Sequence, residues 1–292
     1  MPNSITVKAP AKINLTLDVI GKRPNGYHDL KMIMQTIDLH DELDVSLTRD
    51  KEISLEMNKE LPDNLPPEKN LVYKAAQIMQ DTFSISNGFH IDLTKNIPAA
   101  AGLAGGSSDC AATLLAINEL CELQLTKEEL CEIGVTLGAD VPFCIRKGTM
   151  LCEGIGEILT PLPDIPVLWT LLIKPNISVS TAEVYSNLNL NRIYFHPNTK
   201  AAIDAITHRD AIALSGQLTN VLETVTFSMH PELADLKEFM LQNGALGALM
   251  SGSGPTIFGL FRDKMLATIA QKCALAKYPD YTIIMCQTGI PM

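Results

Sequence analysis

The chain has 292 residues, 46% of them hydrophobic and 19% charged, with a formal net charge of −10. This composition excludes a disordered chain, and with no Lys/Arg cluster it excludes a general nucleic-acid binder, which needs a basic footprint. Seven cysteines, scattered singly with no CxxC pair or zinc spacing, and an N-terminus without an apolar signal core point to reduced thiols in a cytoplasmic protein.

Ile5, Val7 and Ala9 alternate, as do Ile13, Leu15, Leu17 and Val19. This predicts an N-terminal strand pair with Pro10-Ala11-Lys12 at or near the junction. Lys12 stands among apolar residues, which suits either a snorkelling lysine or a functional charge. Leu43-Val45-Leu47, Ile53-Leu55-Met57 and Phe89-Ile91-Leu93 continue the strand-rich pattern. Between them Asn70 caps a helix with Leu71, Val72, Ala75, Ala76 and Met79 at helical spacing.

The most informative segment follows: Pro98, Ala99, Ala100, Ala101, Gly102, Leu103, Ala104, Gly105, Gly106, Ser107, Ser108 and Asp109, directly before the apolar stretch Cys110 to Leu120. Ser107, Ser108 and Asp109 are good N-caps, so the loop is expected to feed a helix start, where unpaired N–H groups and the positive dipole end attract an anion. Gly102, Gly105 and Gly106 are expected to take positive φ and let the backbone approach a polyphosphate; an ordinary turn and cap is the alternative. A Walker A loop is excluded because no lysine follows the glycines, and a GxGxxG fingerprint is not formed.

Thr126 to Glu129 is a capping box that starts a helix ending near Gly138, so that Asp140 follows a helix end, as a turn cap or as a functional carboxylate. Beyond residue 155 the pattern changes to a strand Val167 to Ile173, helices near 181–188, 199–223 and 231–242, strands near 246–250 and 256–261, a helix near 264–276 and a last strand 281–286. The uncharged run Leu241 to Phe261 is long enough for a bilayer but holds five glycines, two serines and Pro255, and reads as strand–loop–strand. No membrane association is expected. The length suits two domains, 1–155 and 156–292, with the proline-rich stretch Glu157 to Pro166 at the boundary.

The string from Pro98 to Asp109 resembles the PxxxGLGGGSSD signature of the GHMP small-molecule kinases, with Ala104 as the main departure. Four further motifs stand in the same order as in that family: Ala9 to Leu15, Gly21 to Leu30, Gly138 to Phe143 and Met250 to Phe258. Together with the central loop they span nearly the whole chain, from about residue 5 to about residue 261. The segment Gly26-Tyr27-His28-Asp29-Leu30 is most similar to the diphosphocytidyl methylerythritol kinases within that family. The resemblance implies a two-domain α+β fold with the active site in the interdomain cleft.

It also implies an ATP-dependent kinase, working with Mg²⁺ on a cytidine diphosphate derivative and phosphorylating its 2-hydroxyl, as a monomer or homodimer. Asp140 would take the hydroxyl proton beside Lys12, and the loop 98–108 would hold ATP, with Asn70 and Lys95 at the adenine. Asn14, Tyr27, His28, Asp140, Thr181, Tyr185, Gly252 and Ser253 would hold the acceptor, its cytosine stacked between Tyr27 and Tyr185 with His28 at the polar edge. Ser108 is the hydroxyl expected near Mg²⁺, and no carboxylate cluster marks a metal site. Another kinase of the family, for homoserine, mevalonate or a sugar, and a catalytically silent binding relative are the other readings.

Overall fold

The structure, a computed structural model, describes residues 3–59 and 66–290. At its centre lie two long antiparallel strands, β1 (Ser4–Lys22) and β2 (His28–Thr48). β3 (Ile53–Met57) and β4 (Gly88–Thr94) add on beside residues 42–48 of β2, while β5 (Thr149–Gly154) and β6 (Ile158–Pro161) add on beside residues 30–35. Four helices pack together with this sheet: α1 (Leu71–Thr82), α2 (Gly105–Leu120), α3 (Lys127–Leu137) and α4 (Val141–Arg146). Asn70 caps α1 by accepting from Val72 N–H, and the Thr126–Glu129 box caps α3, both as the sequence predicts.

A second sheet is built from β7 (Trp169–Lys174), β9 (Gly247–Met250), β10 (Ile257–Phe261) and β11 (Thr282–Gln287), antiparallel in the order β11-β7-β10-β9. Its helices are α5 (Thr181–Asn187), α6 (Thr199–Thr207), α7 (Ala211–Ser215), α8 (Glu223–Met229), α9 (Glu232–Gln242) and α10 (Lys264–Lys277). A two-residue strand, β8 (Thr219–Asn220), returns from this half to pair in parallel with Thr16 and Leu17 of β1. Among the described residues no helix is long and apolar enough to cross a membrane.

Two expectations are corrected. The region 199–223 is not one helix: Arg209 turns to φ 54, Asp210 restarts the chain by accepting from Ile212 and Ala213 N–H, and β8 follows α7. The N-terminal strand pair is one continuous strand, whose pairing with β2 shifts register between Pro10 and Lys12 and again between Asn14 and Thr16. Bulges of this kind re-aim side chains. Ile5, Val7 and Ala9 pack in one core with Val72, Leu114 and Ile117, whereas Ala11, Ile13 and Leu15 turn to a second core with Leu172, Leu249, Phe258 and Leu260 of the other sheet. Leu17 and Val19 then return to the first. The middle of β1 is therefore buried on both faces between the two sheets.

Candidate active site

The register shift in β1 opens its backbone to the glycine-rich loop. Lys12 N–H donates to Leu103 O at 3.1 Å, and the Ser108 hydroxyl donates to Pro10 O at 2.7 Å. The Lys12 side chain is buried, and its ammonium donates to Asn14 Oδ1 at 2.8 Å and to Gly102 O at 3.0 Å. Asp140 Oδ2 stands 3.9 Å from the same nitrogen. Both acceptors are shared with the turn between β9 and β10: Asn14 Oδ1 also accepts from Gly252 N–H at 3.0 Å, and Gly102 O from Ser251 Oγ at 2.9 Å. Asp140 occupies the N-cap position of α4 without a side-chain capping bond, so its carboxylate lines the cleft instead of closing the helix.

The helix after the loop starts earlier than its serines suggest. Ala104, in the left-handed region at φ 57, precedes Gly105, and the first turn's N–H groups come from Gly105, Gly106 and Ser107. Gly105 and Gly106 are helical, so of the three loop glycines only Gly102 has positive φ, at 72, joined by Ala100 at 48. A Cβ at Gly102 would lie 2.1 Å from Ser251 O, so close approach of the 251–254 turn, as well as φ, demands glycine there.

One cleft of about 800 Å³ collects most of the expected residues. Lys12, Asn14, Asp140, Gly102, Ala104 and Ser107 line its inner wall, and Gly252 and Ser253 approach from the second sheet. Tyr27, His28, Thr181 and Tyr185 line the rest. His28 and Tyr185 stack with centroids 5.0 Å apart and planes tilted by 30°, while Tyr27 is largely exposed. Burial, helped by nearby Lys22, lowers the His28 pKa; burial, helped by Asp140, raises that of the Tyr185 phenol. Thr181 Oγ1 and Ser253 Oγ are hydrogen-bonded at 2.8 Å.

Family models for the N-terminal and C-terminal domains of GHMP kinases match residues 70–148 and 198–280. The chain belongs to the GHMP kinases. Over 90% of both chains it is 53% identical to a 4-diphosphocytidyl-2-C-methyl-D-erythritol kinase of Lachnoclostridium phytofermentans, and it is 48% identical to one of Clostridioides difficile over 98% of this chain and 97% of that one. A crystal structure of a 4-(cytidine 5'-diphospho)-2C-methyl-D-erythritol kinase superposes with a TM-score of 0.83 at 31% identity, over 98% of this chain and 99% of that one. A homoserine kinase of Cytophaga hutchinsonii shares the fold, with a TM-score of 0.79 at 22% identity, over 99% of this chain and 95% of that one. The protein is thus an ATP-dependent small-molecule kinase.

Ten of the expected residues stand outside the cleft wall of this GHMP kinase. Pro98 to Ala101, Leu103, Gly105, Gly106 and Ser108 belong to the loop and helix start behind it, and the Ser108 hydroxyl is committed to Pro10 O. Asn70 is buried at the head of α1, where it caps the helix. Lys95 differs most from expectation: its ammonium is buried and bonded to Asp41 and to Asp109 Oδ2, the latter at 2.5 Å. Asp41 Oδ1 also accepts from the N–H groups of Asn96 and Ile97. The triad ties the chain before the loop to the helix after it.

Sequence reasoning missed Asp41 and the inward role of Asp109, because a carboxylate next to Glu42 or Cys110 carries no local sign of its distant partner. One lysine faces two carboxylates here. Burial, with Asp41 adding to it against the pull of Lys95, raises Asp109 to about 8, and its Oδ1 has no hydrogen-bond partner. The folded chain then holds a proton that the unfolded chain loses above pH 4, so this group's contribution to stability falls as pH rises from about 4 to about 8. Asp109→Asn, neutral throughout, should gain stability over the wild type progressively across that window. Urea denaturation at pH 5 and pH 8 checks it; an unchanged difference refutes the shift.

Gly102→Ala should lower stability by at least about 2 kcal/mol, since it combines a left-handed φ with a clash that drives the 251–254 turn off the loop. Gly106→Ala, whose Cβ meets only Leu71 Cδ1 at 3.9 Å, should stay within about 1 kcal/mol of wild type. Comparing the two denaturation midpoints separates close approach from a general intolerance of side chains.

Proposed function

We propose that this kinase transfers the γ-phosphoryl group of ATP to the 2-hydroxyl of 4-diphosphocytidyl-2-C-methyl-D-erythritol. The observation that carries the reading is the Lys12–Asp140 pair, 3.9 Å apart in a cleft with the first turn of α2 on one side and the His28–Tyr185 stack on the other. The names of the relatives, at about half identity over nearly the whole chain, support the acceptor.

In this reading the first-turn amides of α2 and the dipole behind them hold the ATP phosphates, doing without a Walker lysine. The adenine lies toward Asn70, and Lys95 acts through the shape of the loop, since its ammonium is already bonded. Asp140 accepts the proton of the acceptor hydroxyl, whose oxygen bonds to the γ-phosphorus as the bond to ADP breaks. Lys12, held by two fixed acceptors, stabilises charge beside the transferring group. Positioning and electrostatics dominate such transfers, and proton removal is a late contribution.

Mg²⁺ supplies neutralisation of phosphate charge in this chemistry. Among the described residues no three His, Cys, Asp or Glu side chains converge as a metal cage, so the ion would be held mainly by phosphate oxygens, with Ser107 as the loop hydroxyl facing the cleft. The cytosine would lie against Tyr185 and Tyr27. A neutral His28 ring offers one donor and one acceptor nitrogen to its polar edge, which fits the lowered pKa of that residue.

Asp140→Asn should bind both substrates with unchanged affinity while kcat falls by roughly 10² to 10⁴; a variant altered in KM alone would make the carboxylate a binding group. Tyr185→Ala should weaken CDP binding by about 1–3 kcal/mol, the worth of one stacking face, and leave a non-hydrolysable ATP analogue unaffected. Calorimetric titration reads both. Equal CDP affinity in wild type and variant would reject the cytidine clamp.

A further inference from the structure

β8 is only two residues long, yet it carries a fully occupied buried amide. Asn220 Nδ2 donates to Met250 O and to Gly252 O, each at 2.8 Å, and its Oδ1 accepts from Leu222 N–H at 2.9 Å. The residue is 3% exposed. Its two acceptors bracket the start of the 251–254 turn, the segment that presents Gly252 N–H to Asn14 and the Ser251 hydroxyl to Gly102 O. Thr226 Oγ1 adds a bond to Ser253 O at 3.2 Å from α8. A continuous path thus runs from the Asn220 amide to the carbonyl of Gly252, through that residue's backbone to its N–H and Asn14 Oδ1, and from there to the Lys12 ammonium.

The chemistry of this position is restrictive. Two carbonyls and one N–H converge on one side chain, which therefore needs two donors and one acceptor on a short stem. Aspartate matches the shape but has no donor when ionised, serine has one donor, and an apolar residue leaves both carbonyls buried without partners. Gly252 adds a reason for exactness of placement: it sits at φ 58, and a Cβ on it would lie 3.4 Å from Lys12 Nζ, so the turn rests almost against the ammonium. A small displacement of the turn moves an acceptor of Lys12 with it.

We propose that Asn220 is a positioning residue for phosphoryl transfer: its amide fixes the Gly252 turn and, through Asn14, aims the Lys12 ammonium at the reacting group beside Asp140. Asn220 does not itself line the cleft. The inference rests on Lys12 and Asp140 being the transfer centre, and Lys12→Ala serves as the control for that reading.

The test is ADP release with ATP and 4-diphosphocytidyl-2-C-methyl-D-erythritol, measured for wild type, Asn220→Asp, Asn220→Ser, Asn14→Ala and Asn220→Ser/Asn14→Ala from pH 5.5 to 9, below each melting temperature. At pH 8 the Asn220 variants should lose about 10- to 100-fold in kcat, as misplacement of a charge by a fraction of an ångström to an ångström costs. The KM for ATP should stay within about threefold. Asn220→Asp should recover relative to wild type as pH falls, because a protonated carboxyl regains one donor, whereas Asn220→Ser should show no such recovery. The charged neighbours on adjoining elements, Glu223 with Lys237 and Lys12 with Asp140, are common to all these proteins.

The double variant should lose no more than about threefold beyond Asn14→Ala alone, since both act through one path. Variants that melt earlier yet keep wild-type kcat, or a double variant whose losses multiply, would overturn the proposal. If Asn220→Asp does not fold, Asn220→Ser and the double variant decide the matter by the same criteria. Full turnover in Lys12→Ala would instead overturn the transfer centre itself, whereas loss in Lys12→Ala with normal Asn220 variants would overturn only the positioning role.

Discussion

The site depends on the burial of one ammonium. Removing the charge of Lys12 from water costs on the order of several kcal/mol unless fixed acceptors replace its hydration. The acceptors used are Asn14 Oδ1, on the same strand, and Gly102 O, on the glycine-rich loop. Each is also bonded by the turn from the second sheet, through Gly252 N–H and the Ser251 hydroxyl. Satisfying Lys12 therefore requires strand, loop and turn to meet at one point. The third side of the ammonium is left toward Asp140 and the cleft.

A second buried lysine is held by carboxylates instead of neutral acceptors. Lys95 is buried against the carboxylates of Asp41 and Asp109, and it braces both ends of the loop whose middle meets Lys12. The two lysines thus differ in place: one ties the loop to its flanks, the other faces the cleft beside Asp140. A net charge of −10 does not preclude a local positive region: Lys12 and Lys22 line the cleft, and α2 begins beside it with its positive dipole end.

The loop itself stores backbone strain. Ala100 and Ala104 hold left-handed angles that glycine takes without penalty, and they flank Gly102, the residue whose missing Cβ admits the turn. Their conformation is over-determined by the bonds of Leu103 and Ser108 to β1 and by the anchoring triad on either side. Such a loop presents its amides without first having to find their arrangement.

Much of this was legible in the amino-acid order. The caps at Asn70 and Thr126, the strands 53–57 and 88–94, the helix after the glycine-rich loop and the pairing of Lys12 with Asp140 as one candidate centre depend on local chemistry or on motifs that travel whole. Other features were not. The two alternating runs, Ile5 to Ala9 and Ile13 to Val19, read as a strand pair, yet they form one strand in which two register shifts send Ala11, Ile13 and Leu15 to a different core from their neighbours. Period two specifies that side chains alternate, but only the partner strand decides where the ladder slips. Lys95 and Lys12 look alike as isolated lysines near strand ends, and only carboxylates 14 and 54 residues away make one structural. Asn220 carries no motif at all: its meaning lies in two carbonyls some thirty residues on, which chain folding brings within 2.8 Å. Local propensity and motif chemistry acted through neighbours in sequence, whereas the saturation of buried charges and amides was decided by long-range packing, because a buried polar group must find its partners wherever the fold supplies them.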